Sequence, residues 1–259
     1  MFQVIESFKF HYFPSLESTN ATAKSFCEKS VDFCKEGLVH TFYADKQTLG
    51  YGKSNRKWLM KEGNVAVSFL LSSAGMKPQD ITQLTFVFCL SVGRTLEYFG
   101  LRGSDIEYKW PNDVLVSGKK IGGILLESNF SLWGGEKKLS YIVAGIGVNV
   151  VHRPENKSVS FPVTSMKEAG GSGPKALEFI EKLSFYIKRY YNIFAQEGFE
   201  VIRCLWEEKA WRKEGTLLVK VNDKERVEGK FLGLKEDGAL CIQCAESGKV
   251  YMFYSADVF

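Results

Sequence analysis

The sequence predicts an α+β fold, in which a large domain of helices and strands is followed by a small C-terminal β-barrel. Helix-like and strand-like stretches fill the chain up to residue 212, whereas residues 213–259 contain short strands separated by turn residues such as Asn222 and Gly238. A chain of 259 residues has room for both parts. We therefore predict two domains, residues 1–212 and residues 213–259.

Capping residues and hydrophobic periodicity predict the elements of the first half of the large domain. Ser18, Thr19 and Asn20 are good N-cap residues, so a helix is predicted from residue 21 to about residue 35. The predicted elements that follow are a strand at 39–44, a long polar loop at 45–63, a strand at 65–71 and a helix at 81–99.

The second half of the large domain begins with two strands. They span residues 106–116 and are broken at Pro111, Asn112 and Asp113, which form a strong turn signal. The remaining predicted elements of this domain are strands at 124–128 and 140–150 and helices at 175–196 and 199–210. The small domain has predicted strands at 217–221, 227–234, 240–245 and 250–254, and so many short strands in about 45 residues indicate a barrel.

The charge and hydropathy of the chain argue against two classes of protein. A formal net charge of +4 is too mild for the concentrated basic surface of a nucleic-acid binder, and it suits an enzyme with anionic ligands. No apolar run approaches the roughly 20 residues that span a bilayer. The N-terminal segment, with Glu6 and Lys9, lacks the long apolar stretch of a signal peptide. We expect a cytoplasmic protein without DNA or membrane partners.

Cysteine and histidine spacing gives little support for metal or redox chemistry. Cys241 and Cys244 form a single C-x-x-C in a predicted strand, without a second pair of ligands, which favours an ordinary strand. His11, His40 and His152 show no ligand spacing and no partner for a nucleophilic triad. The metal ligands, if any, stay open.

The polar loop at 45–63 contains the first stretch with the chemistry of a binding site. Gly50 and Gly52 allow close approach of backbone N–H groups to an anion, and Lys53 and Arg56 add positive charge just before Trp58. Such a loop is suited to closing over a phosphate-bearing ligand. A solvated basic surface loop explains the composition equally well.

Two further stretches carry candidate site residues. The turn at 109–113, followed by the Gly-Lys-Lys of residues 118–120, holds Lys120 rigidly where it can neutralise a carboxylate or a phosphate. A plain hairpin with solvated lysines is the alternative. Gly145 and Gly147 leave space for a ligand ring against a strand, although tight packing of strands is the simpler explanation.

Together and in this order, these stretches resemble the biotin protein ligase family. That family has Ser-Thr-Asn at a helix start, a Gly/Arg-rich loop ending in Arg-x-Trp, a Lys-Trp-Pro-Asn-Asp stretch with a downstream Gly-Lys-Lys-x-x-Gly-Ile-Leu-x-Glu, a Gly-x-Gly-x-Asn strand and a Thr-Ser-Leu. The similar positions here are 18–20, 47–58, 109–127, 145–149 and 164–166. The resemblance covers nearly the whole chain, and five ordered motifs are far more specific than one.

The loop departs from the family pattern at three positions. The family commonly has Gly-Arg-Gly-Arg-x-Gly-Arg, whereas Tyr51 and Lys53 stand here in place of arginines and Asn55 in place of a glycine. Lys53 keeps the positive charge, but it lacks the planar guanidinium with which an arginine donates two hydrogen bonds to one phosphate. We therefore expect this loop to bind the activated intermediate more weakly than a loop with arginine at this position.

The resemblance implies a class II synthetase-like catalytic domain with a mixed sheet flanked by helices, and an SH3-like C-terminal barrel. It also implies that biotin and ATP, with Mg²⁺, form biotinyl-5′-AMP, and that the biotin is then transferred to a lysine of an acceptor protein. The implied catalytic residues are Lys120, Asp113 and Arg56. The implied biotin-binding residues are Ser18, Thr19, Asn20, Gln47, Gly50, Tyr51, Gly52, Lys53, Lys120 and Gly123. The implied ATP-binding residues are Lys53, Arg56, Trp58, Lys109, Asn112 and Asn149.

The family expectation for the partner is the biotin acceptor domain of a biotin-dependent carboxylase, such as the carrier subunit of acetyl-CoA carboxylase. Three alternatives compete. A lipoate or octanoate ligase is disfavoured because its Arg-Arg-x-x-Gly-Gly-Gly stretch is missing. A DNA-binding repressor is disfavoured because the Ser-Thr-Asn motif already begins at residue 18, and an inactive binding module because Lys120, Asp113 and Arg56 are retained. Monomer and homodimer both stay open.

Overall fold

The computed structural model describes residues 3–29, 37–133, 136–155, 161–222 and 225–259. In the large domain, the helices and strands are β1 (Ser7–Leu16), α1 (Thr19–Lys29), β2 (Leu38–Gln47), β3 (Val65–Ser72), α2 (Pro78–Tyr98), β4 (Ile106–Lys109), β5 (Asp113–Val116), β6 (Lys119–Trp133), β7 (Glu136–Val148), α3 (Ala176–Glu197) and α4 (Phe199–Glu208). The last part of the first predicted helix, residues 30–35, lies outside the described residues.

The strands of the large domain form one seven-stranded sheet in the order β1-β2-β3-β7-β6-β5-β4. β1 pairs with β2 in parallel, and the other neighbours are antiparallel, so the sheet is mixed as predicted. The inner strand β3 is buried along almost its whole length, with Val65, Val67, Phe69 and Leu71 facing one side and Leu70 the other. A strand that is covered on both faces needs helices on both sides.

Those helices divide unequally between the two faces. α2, α3 and α4 pack together on one face and contribute to the main core, which extends into the C-terminal domain. α1 alone covers a patch of the other face, where Ala23 and Cys27 pack against Phe42 and Leu70. The rest of that face is therefore left open beside the N-terminus of α1, and the cavity described below lies there.

The C-terminal domain is a five-stranded antiparallel sheet, which confirms the predicted small β-domain. Its strands are β8 (Thr216–Lys220), β9 (Arg226–Leu234), β10 (Leu240–Cys244), β11 (Val250–Phe253) and β12 (Asp257–Val258), in the order β11-β10-β9-β8-β12. The junction is hydrogen-bonded: Trp110 Nε1 donates to the Gly238 carbonyl over 3.1 Å, and the Arg203 guanidinium donates to the Leu234 carbonyl over 2.7 Å. The predicted domain boundary at 212/213 stays a prediction; the second sheet begins at Thr216.

β1 was not predicted from the sequence, and the hairpin of β6 and β7 is longer than predicted. β1 lies at the edge of the sheet and is largely solvent-exposed: Phe8, Phe10 and Tyr12 alternate with polar residues, but Phe10 and Tyr12 are both exposed. β6 was predicted only at 124–128, whereas the strand extends from Lys119 to Trp133.

Two further features of the described residues bear on the predictions. None of their helices has the length and apolar character needed to cross a membrane. Cys241 and Cys244 lie on β10, where the first is buried and the second half-buried, and both thiols are free.

Candidate active site

A cavity of about 530 Å³ opens between the sheet of the large domain and the last residues of the C-terminal domain. Its floor is formed by β3, β6 and β7, and its walls by the N-terminus of α1, the loop after β2, the β4–β5 turn and residues 256–259. The predicted site residues that line it are Ser18, Thr19, Asn20, Gln47, Tyr51, Gly52, Lys53, Arg56, Trp58, Lys109, Asn112, Asp113, Lys120, Gly123 and Asn149. Only Gly50, among the predicted residues, does not line it.

One end of the cavity, which we call the neutral end, consists of Ser18, Thr19, Asn20 and Gln47. Ser18 caps α1: its carbonyl accepts from the Thr22 amide over 3.0 Å. The Thr19 amide, an otherwise unpaired donor of the first helical turn, donates to Gln47 Oε1 over 2.8 Å. Ser18, Thr19 and Asn20 are each only 4% exposed, so the wall is rigid and fully desolvated.

Glu127 stands behind the neutral end and holds it to the loop. Its carboxylate accepts from Asn20 Nδ2, Lys24 Nζ and the Tyr51 hydroxyl, each over 2.8 Å. Burial by itself raises the pKa of Glu127, but the hydrogen bonds from Lys24, Asn20 and Tyr51 outweigh it and lower the pKa below its ordinary value. Lys24 and Ser68, a further partner of Asn20, were not singled out from the sequence, and Glu127 was noted only as part of a motif.

The opposite end, which we call the cationic end, consists of Lys53, Arg56, Lys109 and Lys120 with Asp113 among them. Lys120 Nζ lies 2.5 Å from Asp113 Oδ1, and Lys109 Nζ lies 3.6 Å from Asp113 Oδ2. Burial lowers the pKa of Lys109 and of Lys53, although nearby carboxylates oppose that effect. These four cations outnumber the two carboxylates beside them, Asp113 and Asp257, and leave this end with a positive excess that suits a polyanion.

A tight hairpin places Asp113 and Lys120 side by side. β5 and β6 are joined by Ser117 and Gly118, both with positive φ (49° and 71°), as in a two-residue turn of type I′. Asn112 Nδ2 donates to the Ile124 carbonyl over 2.6 Å and thereby closes the base of the hairpin. The Lys120 amide donates to Pro162 over 2.8 Å, so its backbone is fixed from both sides.

Arg56 connects the loop after β2 to the C-terminal domain. Its guanidinium lies 2.5 Å from Asp257 Oδ2, with side-chain exposures of 58% and 35%. Asp257 begins β12 and lines the cavity with Ala256, Val258 and Phe259. The sequence analysis assigned no residue of the C-terminal domain to the site, because no motif marks this segment.

The backbone of the loop explains one departure from the family pattern. Ser54 and Asn55 both have φ of 56°, in the left-handed region where Gly and Asn are the most readily tolerated residues. Asn55 is therefore a residue type that tolerates the conformation of the loop at this position. The loop is closed by the Gly52 amide, which donates to the Arg56 carbonyl over 2.7 Å, and by the Trp58 amide, which donates to Gly50 over 2.9 Å.

The glycines of β7 make room for protein side chains. A Cβ at Gly145 would lie 2.3 Å from Asn20 Oδ1, and one at Gly147 would lie 2.3 Å from the Trp58 ring. Close packing inside the protein thus accounts for both glycines. Asn149, at the end of the same motif, is 2% exposed and uses its amide nitrogen on the Thr164 carbonyl, 3.1 Å away.

Comparisons with known proteins find relatives over most of the chain. The model of the Biotin/lipoate A/B protein ligase family matches residues 12–149, and that of the Biotin protein ligase C terminal domain matches residues 218–259. The "Bifunctional ligase/repressor BirA" of Bacillus subtilis is 30% identical over 258 residues, which are 95% of this chain and 72% of that protein. The "Biotin--[acetyl-CoA-carboxylase] ligase" of Paracoccus denitrificans is 30% identical over 203 residues, 77% of this chain and 82% of that protein.

A solved structure is similar over almost the full chain. The biotin protein ligase from Aquifex aeolicus in complex with biotin and ATP superposes with a TM-score of 0.75 at 26% identity, and the match covers 96% of this chain and 97% of that one.

Proposed function

Because this chain belongs to the Biotin/lipoate A/B protein ligase family, we propose that its cavity binds biotin and ATP together and joins them as biotinyl-5′-AMP. The chain is an ATP-dependent biotin protein ligase, with a catalytic domain of mixed sheet and helices and an SH3-like C-terminal domain. The observation that supports the residue roles best is the division of one cavity into a neutral end and a cationic end. Biotin has the same division, a neutral ring and an anionic carboxylate.

The first chemical step requires two anions to approach each other. A carboxylate with a pKa of about 4–5 is already ionised at pH 7, so attack on the α-phosphate of ATP needs no general base. Positioning and positive charge are then the main sources of rate. We assign Lys120 to bridge the biotin carboxylate and the α-phosphate, and Arg56 and Lys53 to the phosphates. Asp113 orients Lys120 through their 2.5 Å contact.

The second step transfers biotin to an amine. A free lysine has a pKa of about 10.4, so the acceptor lysine must lose a proton before it attacks the mixed anhydride and releases AMP. We assign Asp113 to orient the incoming amine or to accept its proton. Trp58, Lys109, Asn112 and Asn149 are assigned to the nucleotide.

Mg²⁺ accompanies ATP and supplies further neutralisation of the phosphates. The ion usually keeps several waters and takes one or two carboxylates besides the phosphates of its substrate. Asp113 and Asp257 are the carboxylates that line the cavity, and both already face cations. Among the described residues no group of three or more His, Cys, Asp or Glu gathers at one point. The residues present thus fit an ion held mainly by the triphosphate.

The experiment that tests the first step is pyrophosphate exchange. The purified protein is incubated with ATP, Mg²⁺ and either biotin or lipoate, and label incorporation into ATP is measured. Exchange with biotin and not with lipoate supports the proposal. Exchange with lipoate alone would mean that the chain is a lipoate ligase. Exchange with neither ligand would mean that the cavity belongs to a binding module.

The acceptor and the cellular setting are finer proposals. We propose a biotin acceptor domain of a biotin-dependent carboxylase in the cytoplasm, since a relative at 30% identity is named for acetyl-CoA carboxylase. Incubation with carrier domains and detection of biotin on a lysine tests the acceptor. Other relatives are named bifunctional repressors, and a gel shift at moderate salt tests our expectation that this chain does not bind DNA.

A further inference from the structure

A continuous chain of hydrogen bonds runs from Glu127 to the wall of the neutral end. Asn20 Nδ2 donates to Glu127 Oε2 over 2.8 Å, and the Ser68 oxygen lies 2.5 Å from Asn20 Oδ1 and 2.7 Å from Thr19 Oγ1. Ser68 is completely buried, and Asn20 and Thr19 are 4% exposed. Thr19 and Asn20 line the cavity, whereas Glu127 and Ser68 lie behind it. The charge of Glu127 is thus linked to a ligand-facing hydroxyl without touching the ligand.

The Glu127 carboxylate determines which group donates in each hydrogen bond of this series. A carboxylate only accepts, so Asn20 turns its NH₂ group to Glu127 and its carbonyl oxygen to Ser68. That oxygen also only accepts, and Ser68 therefore gives its single proton to Asn20. Ser68 is left as an acceptor for Thr19. The Thr19 proton consequently points at Ser68, 2.7 Å away, and not at Gln47 Oε1, 3.1 Å away.

This direction leaves two acceptor oxygens side by side at the neutral end. Thr19 Oγ1 and Gln47 Oε1 then lie 3.1 Å apart without a proton between them, and because Gln47 Oε1 already accepts from the Thr19 amide over 2.8 Å, Thr19 Oγ1 is the oxygen left to accept from a ligand donor. The N–H of a cyclic urea is such a donor, and biotin has two of them. A dithiolane ring, as in lipoate, has none.

We propose that Glu127 is a positioning residue that sets Thr19 as a hydrogen-bond acceptor and thereby selects a ring with N–H donors. The inference rests on the proposed function, because it takes biotin as the occupant of the cavity. Lys24 completes the arrangement: it donates to Glu127 Oε1 over 2.8 Å, leaving Oε2 to Asn20 and Tyr51. Glu127 stays ionised at neutral pH because the bonds from Lys24, Asn20 and Tyr51 lower its pKa despite its burial.

Glu127→Gln tests the proposal because it reverses the direction of the hydrogen bonds that lead from residue 127 to Thr19. The ammonium of Lys24 requires an oxygen, so the new amide must turn its NH₂ group to Asn20. Asn20 then donates to Ser68, Ser68 donates to Thr19, and the Thr19 proton turns to Gln47 Oε1, 3.1 Å away, where it competes with a ligand N–H for that acceptor. We expect the KM for biotin in pyrophosphate exchange to rise about tenfold or more, while the KM for ATP changes less than about twofold.

Two more measurements separate this role from a merely structural one. Biotin methylated on a ureido nitrogen lacks one donor, so the wild type is expected to discriminate strongly against it and Glu127→Gln only weakly. Ser68→Ala interrupts the series of hydrogen bonds between Asn20 and Thr19. In the double variant, Glu127→Gln should therefore cause no further rise in the KM for biotin. The matched control is Glu97→Gln, which removes a half-buried carboxylate paired with Lys209 outside the cavity and should leave the KM for biotin unchanged.

The failures of the two proposals are distinguishable. If the wild type exchanges pyrophosphate with biotin but Glu127→Gln keeps its KM for biotin within twofold, or raises both KM values equally, only the role of Glu127 is wrong. If Glu127→Gln does not fold, Ser68→Ala decides: unchanged discrimination against the methylated analogue overturns the inference. If the wild type shows no exchange with biotin, the proposed function fails and this inference fails with it.

Discussion

The neutral end and the cationic end of the cavity differ in how their polar groups are satisfied. At the neutral end, Thr19 and Asn20 are almost fully buried, and their partners belong to the same domain. At the cationic end, Arg56 and Lys120 are partly exposed and pair with the carboxylates of Asp257 and Asp113. A buried neutral network is rigid and specific, whereas partly exposed ion pairs are readily exchanged for a ligand's phosphate. The comparison predicts that the cationic end governs rate and the neutral end governs choice of ring.

The largest effect is expected at Lys120, where the comparison assigns most of the rate. Lys120→Ala removes the cation between the carboxylate and the α-phosphate, and biotinyl-adenylate synthesis should fall at least about 100-fold at saturating substrates. Pyrophosphate exchange measures this. The matched control is Lys119→Ala, an exposed lysine one residue earlier that does not line the cavity. Activity of Lys120→Ala within about tenfold of wild type would show that the assignment is wrong.

Gly147→Ala sharpens the comparison in the middle of the cavity, between the two ends. The new Cβ would lie 2.3 Å from the Trp58 ring, so the indole must move away from β7. If Trp58 contacts the nucleotide, we expect the KM for ATP to rise roughly tenfold with a smaller change in the KM for biotin. Gly173→Ala is the control, because a Cβ there meets no atom within 4 Å. A rise in the KM for biotin alone would contradict the assignment of Trp58.

Lys53→Arg tests how tightly the cationic end holds the intermediate. Burial lowers the pKa of Lys53, whereas a guanidinium stays charged and grips a phosphate at two points. We expect biotinyl-adenylate to leave this variant roughly three to ten times more slowly, as measured by chasing labelled intermediate with an excess of unlabelled biotin and ATP. Lys61→Arg, outside the cavity, is the control. Equal release rates would disprove the expected looser hold.

The smallest effect is expected at Asp257, although its contact with Arg56 is short. Exposed ion pairs contribute about 0–1 kcal/mol, and a phosphate can replace the carboxylate as the partner of Arg56. For Asp257→Asn we predict a free energy of unfolding within about 1 kcal/mol of wild type and a KM for ATP within about threefold. A change of the KM beyond about tenfold would mean that the C-terminal domain positions Arg56 during catalysis.

The sequence by itself determined the class of fold and most of the cavity wall. Hydrophobic periodicity located the helices and the buried strands, because burial selects side chains at regular spacing. The ordered motifs identified the family, and every proposed binding residue except Gly50 lines the cavity. These motifs are local: Ser18, Thr19 and Asn20 lie at the start of one helix, and Asp113 and Lys120 share one hairpin. Local geometry depends on neighbouring residues, which a sequence displays directly.

Only the tertiary structure decided which distant residues support that wall. Glu127 is 107 residues from Asn20 and 76 from Tyr51, and Asp257 is 201 from Arg56. No local spacing encodes such pairs, because they arise when β6 is placed beneath the N-terminus of α1 and when β12 meets the loop after β2. The exposed edge strand β1 was not predicted for a related reason: backbone pairing with β2 stabilises it, and neither of its faces is fully buried. Long-range contacts and edge pairing depend on the assembled sheet.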